Sequence, residues 1–256
     1  MLYSISVDIF GIEGFIYPYS ILMGIGFTHL LFGITKSAQA QKMSDEVIES
    51  FQLTLIISIC FGYVGASAAA QLLAGEKVIP LDTLTVMPGF IVGTIVLCLG
   101  LFFQKMDVKY WISLAIPYWC FAHAWGRLGC FLGGCCFGTP TDSIFGLTFP
   151  EDSIPSNTHG HISLHPTQLY EAFALTLIGI TSSKLNISVS RIYFFFITYG
   201  ITRYIIEEFR GDERGIFSLM PNLSPSQSLS LLFVIVGSIL FIISLSHKQN
   251  KMSQPH

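Results

Sequence analysis

The chain has 256 residues, 52% hydrophobic and only 11% charged, where an ordinary soluble domain carries roughly a quarter charged residues. With 22 Phe, a mean hydropathy of +0.63 and apolar runs recurring from end to end, it reads as an all-α polytopic membrane protein, not a soluble domain. A net charge of -3 without a basic cluster leaves no footprint for a phosphate backbone, and nucleic acid is not expected as a partner.

Seven helical spans are predicted, over about 18–35, 49–74, 86–104, 111–126, 168–185, 191–208 and 226–246. Asp8 and Glu13 precede the first, and the basic region and cleavage site of a removed signal are lacking, so the first span is expected to stay in the mature protein. An odd number of spans puts the termini on opposite sides. With the amino terminus outside, 8 of the 13 Lys and Arg fall in inside segments: Lys36, Lys42, Lys105, Lys109, Lys184, Arg191, Lys248 and Lys251. Lys77, Arg127, Arg210 and Arg214 fall outside, and Arg203 lies within a span. Basic residues favour the cytoplasmic side, so this orientation is the expected one.

The longest connection, about 127–167, is then extracytoplasmic; it holds Pro140, Pro150 and Pro155 and is too long for an idle turn. Residues 247–256 form a polar cytoplasmic tail. A single transmembrane domain over 1–246 is the simplest organisation.

Ionised side chains inside a span are expensive, roughly 2.5–3.5 kcal/mol each at its centre, and therefore pair or face a wet cavity. Arg203 and Glu207 are spaced by four, on one helix face, with Tyr199 a turn earlier. They read either as a structural ion pair or as a polar cavity wall. Arg127 ends the fourth span within Gly126-Arg127-Leu128-Gly129, as a snorkelling anchor or as half of a clamp with Arg203 on a phosphodiester, whose oxygens match guanidinium forks. His123, one turn before Arg127, is either a hydrogen-bonded core histidine or a proton acceptor beside that headgroup. Glu171, just inside the fifth span after His165-Pro166-Thr167-Gln168-Leu169-Tyr170, needs a partner, and an arginine is expected.

Cys60, Cys98 and Cys120 sit in apolar runs and read as small buried hydrophobes. Cys130, Cys135 and Cys136 lack a second matching pair, and helical packing is expected to point them apart. They read first as packed small residues beside Gly133 and Gly134, then as a disulfide or a nucleophile, and no metal or other cofactor is expected.

Taken together these segments resemble the bacterial prolipoprotein diacylglyceryl transferase family. Tyr19 in Tyr-Ser-Ile-Leu-Met-Gly-Ile-Gly-Phe is similar to that family's first-span tyrosine, and Gly126 through Gly138 to its signature segment. His165 to Glu171 resembles its His-Pro-Thr/Ser-Gln-Leu-Tyr-Glu run, Tyr199 to Arg210 its late-span motif, and Pro225-Ser226-Gln227-Ser228-Leu229-Ser230 the start of its final span. The family's seven spans and outside amino terminus agree with the charge count.

The resemblance implies a transferase of the bacterial cytoplasmic membrane that moves diacylglycerol from phosphatidylglycerol to the lipobox cysteine of a preprolipoprotein, releasing glycerol-1-phosphate. It implies that Arg127 and Arg203 hold the lipid phosphate, with Tyr19, Glu171, Tyr199 and Glu207 lining the site and Gly138 and His165 contributing from the outer loop. Two departures stand out. Where the family has His-Gly-Gly-Leu-Ile-Gly in its third span, this chain has Val86-Met87-Pro88-Gly89-Phe90-Ile91-Val92-Gly93, without the imidazole proposed as base. Cys130 stands where the family has Asn, and Cys135 where it has Glu. His123 is the remaining imidazole for thiol activation. A same-fold transferase with another acceptor and a nonenzymatic phospholipid-binding protein are the other readings.

Overall fold

The structure, a computed structural model, describes residues 5–9, 12–74, 86–212 and 223–252. Lys77 and Arg214 of the charge count, and the last four residues of the tail, lie outside the described residues. A hairpin of β1 (Ile5–Ile9) and β2 (Ile12–Ile16), paired Ile5 to Ile16 through Ile9 to Ile12, precedes the first helix. Helices follow at α1 (Pro18–Ala40), α2 (Asp45–Ala74), α3 (Val86–Phe103), α4 (Val108–Gly133), α6 (Thr167–Lys184), α7 (Val189–Glu207) and α8 (Pro225–Met252), so each predicted span coincides with a helix. Between α4 and α6 lie β3 (Leu147–Thr148), the short α5 (Ile154–His159) and β4 (Ser163–Leu164). The opening hairpin and this small folded connection are elements that apolar periodicity did not reveal.

Among the described residues, Pro18–Ala40, Asp45–Ala68 and Pro225–Ser246 are long and apolar enough to cross a membrane, and Gly89–Phe103 is a shorter apolar helix. Their outward faces are apolar, with Phe102, Val64 and Ile242 each more than half exposed. A soluble protein buries such side chains, whereas a helix in hydrocarbon presents them to lipid.

The chain divides into two compact units, one of Met1–Gly33 with Ala115–His256, the other of Ile34–Leu114. In the second, α1 and α3 end alike. Lys42 (φ 59) and Lys105 (φ 56) take left-handed backbone, each followed by a Met whose N–H reaches back five residues, Met43 to Ala38 O and Met106 to Leu101 O. This six-to-one closure satisfies the last helical carbonyls. Ser44 and Asp107 then begin α2 and α4, the Asp107 carboxylate accepting from the Lys109 and Tyr110 N–H groups and Asp45 and Glu46 lying at the positive end of the α2 dipole. Along α2 and α3, Gly62, Gly89 and Gly93 bring the backbones together: a Cβ on Gly89 would lie 2.7 Å from the Gly62 carbonyl oxygen. Gly89 and Gly93 thus supply a packing face of α3.

In the first unit, Gly26 and Gly33 admit α4 against α1, and Gly200 and Gly237 admit α7 against α8. A core of Ala124, Ala172 and Leu175, with Leu128 and Tyr199 against it, joins α4, α6 and α7. A second, of Phe137, Phe149 and Leu164 with Phe131, fills the α4–α6 connection.

Candidate active site

Helix periodicity places His123 and Arg127 one turn apart on α4, and Tyr199, Arg203 and Glu207 on successive turns of α7; Glu171 stands in the second turn of α6. The small core residues Ala124 and Ala172 allow these three helices to approach. Glu171, 1% exposed, is the hub. Its Oε1 lies 3.0 Å from Arg127 Nη2, 3.9 Å from Arg203 Nε and 3.8 Å from His123 Nε2, and accepts the Tyr199 hydroxyl at 3.0 Å. Arg203 Nη2 lies 2.6 Å from Glu207 Oε2 and donates to Ser226 Oγ at 3.1 Å, while the Ser224 hydroxyl donates to Glu207 Oε1 at 2.7 Å. A buried chain of alternating charge therefore runs Arg127, Glu171, Arg203, Glu207 and ends on the hydroxyls that open α8.

The chain is not closed. Arg127 Nε, Arg203 Nη1 and Glu171 Oε2 are buried and have no hydrogen-bond partner, and neither has Gln168 Oε1. A buried donor or acceptor left unpaired costs about 1–3 kcal/mol, more where it is charged. Two guanidinium donors and a carboxylate acceptor held in one place are the complement of an oxyanion that also carries a hydroxyl.

The sequence expectations divide as follows. His123, Arg127, Glu171, Tyr199, Arg203 and Glu207 meet, and Glu171 has the arginine it needed. Tyr19 stands outside this chain: its ring packs on α4, where a Cβ on Gly129 would come 3.0 Å from Tyr19 Cδ2. His165 faces the Tyr170 hydroxyl through Nδ1 at 3.0 Å and packs edgewise on Phe209. Gly138 is a chain crossing, its N–H donating to His165 O and its backbone bridging Arg210, with a Cβ there 2.5 Å from Phe209 O. These two hold the α4–α6 connection and do not join the ion-pair chain.

Two expectations are reversed. Cys60, read with Cys98 and Cys120 as a small buried hydrophobe, is exposed, and of the three only Cys120 is buried. Cys130, Cys135 and Cys136 do not point apart; their sulfurs all lie within 4.8 Å of one another. The cause is the end of α4. Gly134 takes φ 71, its N–H donates to Phe131 O and the Cys135 N–H donates to Cys130 O, the same six-to-one closure seen after α1 and α3. That closure lays the second residue past the helix over the residue five earlier, so Cys135 folds onto Cys130. Left-handed backbone at Cys136 (φ 64) brings the third thiol in. Hydrogen bonds from the Cys130 and Cys135 thiols, then the charges of Arg210 and Arg127, hold the Cys136 thiol below the usual cysteine range.

Sequence reading assigned no role to Ser224 and Ser226, whose hydroxyls become legible only once α8 is seen to start beside Glu207. The thiol cluster did have a signal, in the glycine pair that follows an apolar helix.

The family model of prolipoprotein diacylglyceryl transferase matches residues 7–243. The chain belongs to this family. It is a transferase enzyme of membrane lipoprotein biosynthesis. It is similar to the phosphatidylglycerol--prolipoprotein diacylglyceryl transferase of Clostridium tetani, 30% identical over 255 residues, 94% of this chain and 98% of that one. A second such protein, of Clostridium perfringens, is 29% identical over 247 residues, covering 91% of each chain. The Wolbachia transferase from Brugia malayi is 31% identical over a shorter stretch, 59% of this chain and 56% of its own. Within this family, the ion-pair chain across α4, α6 and α7 is the candidate catalytic centre.

Proposed function

We propose that this chain transfers the diacylglyceryl group of phosphatidylglycerol to the lipobox cysteine thiol of a preprolipoprotein, with glycerol-1-phosphate leaving. The observation that carries the reading is that two arginines approach one carboxylate, Arg127 through Nη2 and Arg203 through Nε on Glu171, and each keeps a buried nitrogen without a partner, Arg127 Nε and Arg203 Nη1. Guanidinium groups bind phosphate oxygens in forked geometry. Glu171 Oε2, free beside them, suits a hydroxyl of the glycerol headgroup.

In the reaction the acceptor sulfur attacks the glyceryl carbon that bears the phosphate ester. A C–S bond forms, the C–O bond breaks, and its electron pair stays on the phosphate, where Arg127 and Arg203 stabilise the charge as it grows. Glu171 and Glu207 fix the two guanidinium planes, and Tyr199 fixes Glu171. A neutral thiol is a poor nucleophile, with only a few per cent thiolate at pH 7. His123, whose Nε2 lies 3.8 Å from Glu171 Oε1, is assigned as the group that receives the thiol proton. Seven spans with the amino terminus outside, as the basic residues favour, put the α4–α6 connection on the outer face of the bacterial cytoplasmic membrane, where exported precursors arrive.

The test is turnover with phosphatidylglycerol vesicles and a lipobox peptide. Glycerol-1-phosphate and a thioether-linked diacylglyceryl peptide are expected in equal amounts, and cells depleted of their own transferase should regain lipoprotein lipidation. Headgroup release without peptide modification would mean another acceptor; no release at all would defeat the reading.

A further inference from the structure

The thiol cluster is, among the described residues, a group of potential metal ligands that the mechanism above does not use. Three features make it more than a chance encounter. The three sulfurs already lie within 4.8 Å of one another. Zinc–thiolate bonds of about 2.3 Å in tetrahedral geometry set sulfurs about 3.8 Å apart, so a small contraction suffices. The backbone that carries them is pinned from α6: the Thr167 hydroxyl donates to Cys136 O at 2.6 Å and the Gln168 amide to Cys135 O at 2.7 Å, and both donors are at most 1% exposed. Cys136 is also held in left-handed backbone, which a β-carbon disfavours and glycine would take freely, so its thiol occupies the position at a conformational cost.

We propose that Cys130, Cys135 and Cys136 form a three-thiolate site for a thiophilic divalent cation of the zinc class, whose fourth position takes the acceptor thiol. The site lies next to the phosphate clamp in the chain's own geometry: Cys130 follows Arg127 by three residues on α4, about 4.5 Å along the helix. Three protein ligands and an open position are the coordination of catalytic zinc, whereas structural sites are closed by four. Three thiolates and a divalent cation sum to one negative charge, and the nearby guanidinium groups of Arg127 and Arg210, paired with Glu171 and Asp212, stand on the side of the cluster where that charge falls. A thiol that enters the fourth position gives up its proton to water, since His123 lies seven residues, about 10 Å, back along α4, and the sulfur remains nucleophilic as a bound thiolate. Its sulfur then forms the bond to the glyceryl carbon, and the phosphate takes the electron pair of the broken C–O bond. Such a site supplies thiol activation in a chain whose third helix has Gly89 and Gly93 in a helix contact and no histidine between Val86 and Gly93. The acceptor half of this inference rests on the proposed function; the metal half does not.

The experiment is a cobalt(II) titration of the full-length protein, purified in detergent, reduced and stripped by a chelator. The expected result is a thiolate-to-cobalt charge-transfer absorption that saturates at one ion per chain and changes when a lipobox peptide is added, but not when its cysteine is replaced by serine. Cys130→Ser and Cys136→Ser should each lose the band, Cys60→Ser should keep it, and Cys136→His, which restores a ligand, should regain binding with an altered spectrum. No band in the wild type, or a band that survives Cys130→Ser and Cys136→Ser together, overturns the site. A band unmoved by the peptide overturns the fourth-position assignment. Peptide lipidation that is undiminished in metal-stripped protein overturns the proposal and leaves the transferase reading standing; a cobalt band with no lipidation of any lipobox peptide removes that reading and keeps the metal site.

Discussion

The α2–α3 pair of the second unit and the α4–α6–α7 site of the first are both buried helix contacts, and they solve the problem of burial in opposite ways. Along α2 and α3 the contact is made of glycines, and the polar side chains around it are satisfied. Gln52 donates to Thr35 and Gln104 to Thr54 at 2.6 Å each, and the Thr54 and Ser58 hydroxyls return to carbonyls of their own helix. At the site the contact is made of charge, and the balance is incomplete. Among the described residues, every buried side-chain nitrogen or oxygen without a partner belongs to Arg127, Gln168, Glu171, Arg203 or Ser228, all in the first unit. A scaffold finishes its hydrogen bonds internally. A binding site leaves some for its ligand.

If that contrast is right, the largest effect comes from Arg203→Ala, which removes a free donor and both carboxylate partners at once. Loss of about 10²- to 10³-fold in glycerol-1-phosphate release is expected, the range seen when one charge-stabilising donor is deleted. Activity equal to wild type would erase the distinction between the two regions. Glu171→Gln comes next. The amide keeps the Tyr199 hydrogen bond but leaves two buried guanidinium groups short of a counter-charge, and about 10- to 100-fold lower turnover is expected, from the 1.5–3 kcal/mol typical of a charged hydrogen bond. Glu207→Gln should do less, about tenfold or under, because Ser224 and Arg203 retain an amide partner in place of the carboxylate. Turnover at saturating lipid, compared across the three variants, checks the order.

The seven helices and the charged residues of the site were legible in the sequence for one reason. In a membrane, an apolar run and an ionisable interruption are both thermodynamic statements, the first of where the chain sits and the second of a partner it must have. Arg203 could be paired with Glu207, and an arginine expected beside Glu171, from that rule before any coordinates; that Arg127 is the nearer of the two arginines there could not. The hairpin before α1, α5 and the β3–β4 pair were not legible, because elements of two to six residues carry too little periodicity. The meeting of the cysteines was not legible for a different reason. Helical spacing points them apart, whereas Gly134 ends the helix between the first and the second, and the closure at that glycine decides which side chains meet.

The smallest effects separate packing from chemistry within the same comparison. Gly89→Val should lower stability by about 1–3 kcal/mol through overpacking against Gly62 and Ala66, read as a reduced melting temperature, while the turnover of the molecules that remain folded stays at the wild-type value. Tyr19→Phe is the sharper case, since the resemblance put Tyr19 in the site and the structure puts its ring on Gly129, outside the ion-pair chain. At 42% exposed it is the most open of the assigned side chains on the membrane helices, and removing its hydroxyl leaves Arg127, Glu171 and Arg203 with every contact they had. A loss of less than tenfold in turnover is therefore expected, below the 1.4 kcal/mol of one ordinary hydrogen bond to substrate. A loss as large as that of Arg203→Ala would mean that the phenol reaches the reacting lipid, and that the phosphate clamp extends along α4 to the face at Gly129 on which Tyr19 lies.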